Sequence, residues 1–110
     1  MTRTSVLAVL LLAAILEAGG DALVRAGLYA SSSAARAGLM ASGAVVLFAY
    51  GYAVNVPGWD FGRLLGIYVV FFFVVAQVIS WLVFHQPPTR PVYLGGALIV
   101  LGGLILSLGA

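Results

Sequence analysis

LEAGGDALVRAGL, residues 16–28, places Glu17, Asp21 and Arg25 in the second half of an apolar run. The thirteen residues from Thr4 to Leu16 before it carry no charge. Each ionisable group lies four residues from the last, so a helix stacks all three on one face. An apolar segment of this length reads as a membrane span. The fold and the function both turn on why such a span carries charge.

The rest of the chain supports the membrane reading. Of 110 residues, 64% are hydrophobic and 7% charged, where a soluble domain averages about 25% charged. Mean hydropathy is +1.19. The positive charge is all arginine, and a net charge of +2 is too small to argue for nucleic acid. There is no cysteine and one histidine, which excludes a disulfide framework, thiol chemistry and a thiolate or histidine metal cluster. The sequence contains no phosphate loop, nucleophile–base pair or metal-ligand spacing. It therefore points to no enzyme activity, no catalytic residue, no metal and no cofactor. Arg3 followed by Val6–Leu16 has the form of a secretory leader, but the remaining chain is equally apolar and would itself stay in the bilayer.

Four segments have the roughly 20 apolar residues a span needs. They run from about Thr4 to Leu28, Ala37 to Val56, Leu64 to Phe84 and Pro91 to Ala110, and the last three are uncharged. The expected fold is all-α, a single four-transmembrane-helix domain over 1–110. YASSSAAR, NVPGWDFGR and HQPPTRP join the spans. Pro57 and Gly58 break the chain, Trp59 is placed for an interfacial anchor, and Pro91 can open the last helix. Connections this short make neighbouring helices antiparallel. With the N-terminus inside, Arg3 and Arg63 face Arg25, Arg36 and Arg90 across the membrane. The positive-inside rule then gives almost no bias. Either the count is noisy in a small protein, or copies insert both ways and pair antiparallel.

Glu17 is about 12 residues into its span, near the bilayer centre at about 1.5 Å per residue. An acid there costs roughly 2.5–3.5 kcal/mol on insertion scales and usually marks an ion or substrate pathway. Burial disfavours the charged form, so a proton and a cation compete for the same negative charge. That competition is sufficient for antiport if binding also gates access. The alternative is an internal salt-bridge ladder. Arg25 is expected to snorkel to the membrane edge. Asp21 pairs with Arg25 or tunes Glu17.

Other spans add partners. Tyr68 and Phe72 lie on one face of the third helix, with Phe71 beside them; aromatic faces attract cations, and the Tyr68 hydroxyl suits the carboxylate. Phe71–Phe73 equally fit core or lipid. Gln77 and Ser80 offer hydrogen bonds between helices. Ser42, with Gly38 and Gly43, forms a small-residue surface or donates to a carboxylate. Tyr50 and Tyr52 fit an aromatic belt. His85 ends the third helix at the water interface. In the fourth helix, Gly95 and Gly102 share a face, as do Gly96 and Gly103, which suits close helix packing or dimerisation.

These residues resemble the small multidrug resistance (SMR) transporters. The helix-one pattern of glutamate, glycine, leucine and a basic residue is met by Glu17, Gly20, Leu23 and Arg25. SWLVFHQPPTRPVYLGGALIVLGGLILSL, residues 80–108, is similar without a gap and includes Trp81, Gln86, Pro91, Gly95 and Gly102. EAGG (17–20) and FGRLLGIYVV (61–70) look more like the YnfA-like branch of the superfamily. The resemblance implies an antiparallel homodimer, often of dual topology, in a bacterial inner membrane. It would export small or hydrophobic organic cations, of quaternary ammonium type, in exchange for protons at Glu17. Tyr68 stands where the transporters have a tryptophan beside the substrate, and Leu65 where they have a tyrosine. Asp21 replaces a small polar residue, and Gly20 stands where the guanidinium-exporting branch has a tryptophan. The expected substrate and proton site comprises Glu17, Tyr68, Asp21, Ser42 and Phe72, with Gly95 and Gly102 packing the dimer. The alternatives are a subunit of a lipid-carrier or other metabolite transporter, and a non-transporting membrane assembly protein.

Overall fold

A computed structural model describes residues 1–108 of the chain. Its four helices are α1 (Arg3–Leu28), α2 (Ser33–Asn55), α3 (Phe61–Leu82) and α4 (Arg90–Leu108). At about 1.5 Å per residue each spans roughly 28–39 Å, enough to cross a hydrocarbon core of about 30 Å. All four are apolar enough to do so. The chain is a membrane protein with an all-α, four-helix architecture.

Capping sets the helix starts. The Thr2 side chain accepts from the Ser5 amide at 3.1 Å. Ser32 Oγ accepts from the Ala35 amide at 3.0 Å, satisfying a donor that the first turn leaves open. That cap starts α2 at Ser33 rather than near Ala37, which leaves only Ser31 and the capping Ser32 of the serine run in the connection. Phe61 opens α3 after Asp60, which makes no side-chain cap. At the other end, His85 adopts φ 57°, a left-handed conformation that histidine tolerates better than most residues. The Gln86 amide then reaches back to the Ser80 carbonyl at 2.9 Å. This turn ends α3 at Leu82 rather than at Phe84. The expected end of the fourth helix at Gly109 and Ala110 lies outside the described residues.

Helix α1 is the centre of the arrangement. It packs against α2 on one side and α3 on the other, and α4 packs on α3. Hydrocarbon gives helices no hydrophobic drive to associate, so small residues mark the contacts. A side chain on Gly43 would meet Val24 Cγ2 at 2.7 Å and the Gly20 carbonyl oxygen at 3.0 Å. The α1 and α2 backbones approach that closely only because both positions lack a Cβ. On α4, Gly96 faces the Phe73 ring and Gly103 faces Val70. Gly95 and Gly102 touch nothing within 4 Å and point away from α3. The two glycine pairs of α4 therefore have separate surroundings: one seats α3 and the other lies open.

The core consists of Val6, Leu10, Ala13 and Ala14 of α1, Val54 of α2, and Leu64, Ile67 and Tyr68 of α3. The Arg3 guanidinium donates to the carbonyl and hydroxyl oxygens of Ser107, which ties the start of α1 to the end of α4 on one side of the membrane. The assembly measures 49 × 34 × 19 Å, a slab about two helices thick. Phe48, Leu98 and Ile105 are 70–80% exposed on its surface, which suits lipid rather than water.

Gly43→Leu should force α1 and α2 apart and lower stability by about 1–3 kcal/mol, the usual cost of overpacking. Gly38→Ala, at a position with nothing within 4 Å, should leave it unchanged or slightly raised. Thermal unfolding of the two variants in detergent measures the contrast.

Candidate functional site

Glu17 sits just past the middle of α1, between the flanking helices, and is half-buried. The Tyr68 hydroxyl of α3 donates to Glu17 Oε1 at 2.7 Å. The same hydroxyl is 3.4 Å from the Ala13 carbonyl; one hydroxyl has one proton, and the shorter contact, to a carboxylate, holds it. Tyr68 is only 4% exposed, so its ring is locked by packing and its hydroxyl is aimed. Phe72, one turn on, lies 6.3 Å away, centroid to centroid and tilted by 33°. The carboxylate is thus bordered by aromatic surface and held on Oε1 by a neutral hydroxyl. A carboxylate held by a neutral hydroxyl beside ring faces is chemically suited to a proton or an organic cation.

Tyr50 of α2 joins this group. Its ring stacks on Tyr68 at 5.7 Å and 30°. The sequence suggested an aromatic belt for Tyr50 and Tyr52, and the structure separates them. Tyr52 is 73% exposed, whereas Tyr50 packs against the core. A signal for this was present. Gly43, Leu47, Tyr50 and Val54 fall on one helical stripe. Gly43 and Leu47 meet Gly20 of α1, and Val54 is buried in the core.

The charged ladder does not form as an ion-pair ladder. Asp21 is exposed, and among the described residues no ion pair joins it to Arg25. The Arg25 guanidinium instead lies over two rings, 5.4 Å from the Phe84 centroid and 5.7 Å from that of Tyr29. Those rings lie at the ends of α3 and α1, so the arginine reaches towards the membrane edge and away from the acid. Asp21 and Arg25 line a cleft between α1 and α3, together with Phe72. Ser42 is not brought to Glu17: it is exposed, and its hydroxyl donates to the Gly38 carbonyl of its own helix at 2.7 Å. Gly19 touches nothing within 4 Å, whereas Gly20 packs on α2. Ser80 donates to the Gln86 carbonyl at 3.2 Å. At the other membrane edge Arg63 lies 5.0 Å from the Trp59 ring centroid, as an interfacial anchor would. Among the described residues no group of three or more His, Asp or Glu could hold a metal ion.

Comparison with known proteins gives one informative similarity. Over 66 residues the chain is 33% identical to a UPF0060 membrane protein of Herpetosiphon aurantiacus. The match covers 58% of this chain, and the chain spans about 60% of the length of that relative. The similarity is to a membrane protein and does not single out the SMR transporters. No family model matches the chain. No solved structure matches it.

A double-mutant cycle tests the central contact. Tyr68→Phe removes the hydroxyl and should cost about 1.5–3 kcal/mol, the range for a hydrogen bond to a charged group. In a Glu17→Gln background the same change should cost about 1 kcal/mol, as for a neutral hydrogen bond. Equal costs in both backgrounds, by thermal unfolding in detergent, would show that the carboxylate charge contributes nothing.

Proposed function

We propose that the protein is a proton-coupled antiporter that exports small or hydrophobic organic cations, of quaternary ammonium type, through the Glu17 carboxylate. The observation that carries this reading is Glu17 itself. It is an acid inside a membrane span, oriented by the Tyr68 hydroxyl at 2.7 Å, with no ion pair to a base among the described residues. A merely structural acid in hydrocarbon would be expected to be neutralised by an arginine. Arg25, the one base on the same helix face, is engaged with rings instead.

The mechanism follows from competition. A bound cation holds Glu17 charged and is itself held by the carboxylate and by the faces of Phe72 and Tyr68. A proton arriving at the carboxylate removes the charge and releases the cation. The neutral acid is cheaper to carry through hydrocarbon than the carboxylate, so the protonated protein makes the return step. Two copies paired antiparallel would bring two Glu17 side chains to one chamber. The open faces of Gly95 and Gly102 on α4 supply a surface for that pairing. Similarity to a bacterial membrane protein supports placement in a bacterial inner membrane. Four helices with no soluble domain among the described residues suit a transporter that acts within the bilayer.

Adding tetraphenylphosphonium to purified protein in weakly buffered detergent should release protons, and Glu17→Gln should abolish the release. Cation affinity should fall with falling pH, by up to about tenfold per unit where one proton displaces one cation. Equal affinity and equal pH dependence in Glu17→Gln would overturn the antiport reading.

A further inference from the structure

Above Phe72 the space between α1 and α3 opens into a cleft of about 270 Å³. Its floor is the ring that borders Tyr68 and hence Glu17. Ala18 and Ala22 of α1 face Ala76 of α3 across it, and these small side chains leave the space between the backbones unfilled. Its upper end is polar, with Ser80 and Gln86 at the turn after α3. The cleft therefore runs from the membrane edge to the wall of the Glu17 site.

Two charged residues line it, Asp21 and Arg25. One helical turn, about 6 Å along the axis, separates Asp21 from Glu17 below and from Arg25 above. Arg25 lies over Phe84 and Tyr29, and no ion pair joins it to Asp21. No base among the described residues neutralises the Asp21 carboxylate. A chain of this composition places an acid in a membrane helix at a cost of about 2.5–3.5 kcal/mol, and neither capping nor ion pairing accounts for Asp21.

We propose that this cleft is a water-filled vestibule in which Asp21 receives organic cations before they reach Glu17. The step onward to Glu17 rests on the antiport reading; the vestibule and its charge preference do not. Asp21 raises the local concentration of cations, as a carboxylate in a narrow low-dielectric cleft does. Arg25, held at the rim by two rings, opposes this and limits retention, so the cation is drawn inward without being trapped.

The chain has no cysteine, so a single introduced thiol reports on the cleft without further changes. Ala76→Cys is made in proteoliposomes opened so that reagent reaches both faces. It is treated with a trimethylammonium-ethyl or a sulfonatoethyl methanethiosulfonate, similar in size and opposite in charge. Both should react, the cationic reagent faster by about tenfold relative to the anionic one. Adding Asp21→Asn should remove that preference, and adding Arg25→Gln should increase it. Phe48→Cys, on the lipid-facing surface of α2 at a position 80% exposed, should not react. Glu17→Gln should leave the preference in place although it abolishes antiport. If Ala76→Cys and Ala22→Cys are both as inert as Phe48→Cys while reacting fully after denaturation, the cleft is dry and the proposal fails. It fails equally if both react and Asp21→Asn leaves the cation preference unchanged. For the onward step, Asp21→Asn should raise the half-saturating cation concentration for proton release by about tenfold with the total release retained. An unchanged half-saturation would overturn that step; absence of proton release in the parent protein would instead count against the antiport reading.

Discussion

Hydrocarbon gives apolar helices no hydrophobic reason to associate. What holds this chain together must come from close backbone approach and from polar groups that find partners inside the bilayer. Both occur on α1. Its Gly20 lets α2 in until the Gly43 position sits on the Gly20 carbonyl. Its Glu17 engages α3 through Tyr68. One helix, with one contact of each kind on its two sides, organises the three-helix part that contains the site.

The two contacts support each other. Close packing of α2 on α1 brings Tyr50 down onto the Tyr68 ring, although α2 and α3 have no backbone contact of their own. That stacking holds Tyr68 in the orientation its hydroxyl needs. A glycine pair one turn from the acid thereby fixes an aromatic wall on the far side of it. The same logic explains the looser α4. It meets only α3, through Gly96 and Gly103, and offers its other glycine face outward. In a slab 19 Å thick the acid lies between helices while one small-residue face of α4 stays open.

The charges show how position along the membrane normal sorts residues of the same type. Arg3, Arg25 and Arg63 each lie near a membrane edge and are engaged by a serine, by two rings or by a tryptophan. The acids of α1 are deeper and have no such base. Glu17 is held by a neutral hydroxyl, and Asp21 lines an open cleft. Neutral partners leave the negative charge uncompensated, and uncompensated negative charge is what a cation or a proton requires.

Much of this was legible in the sequence. Length and hydropathy alone determined four helices, because only a helix satisfies its backbone within the bilayer. The depth of Glu17 and its one-face alignment with Asp21 and Arg25 follow from helical periodicity, and Tyr68 is a natural partner because a buried hydroxyl needs an acceptor. Three things depended on tertiary structure. The spacing of four that suggested an Asp21–Arg25 pair is equally compatible with Arg25 turning to Phe84, a residue 59 positions away, and only packing decides between them. Tyr50 and Tyr52 are indistinguishable by type and nearly so by depth; they differ by about 200° around the helix, and the glycine contact determines which one faces inward. Gly95 and Gly96 likewise differ only in direction. Sequence periodicity sets which residues share a face, but which face meets a neighbour is a property of the neighbour.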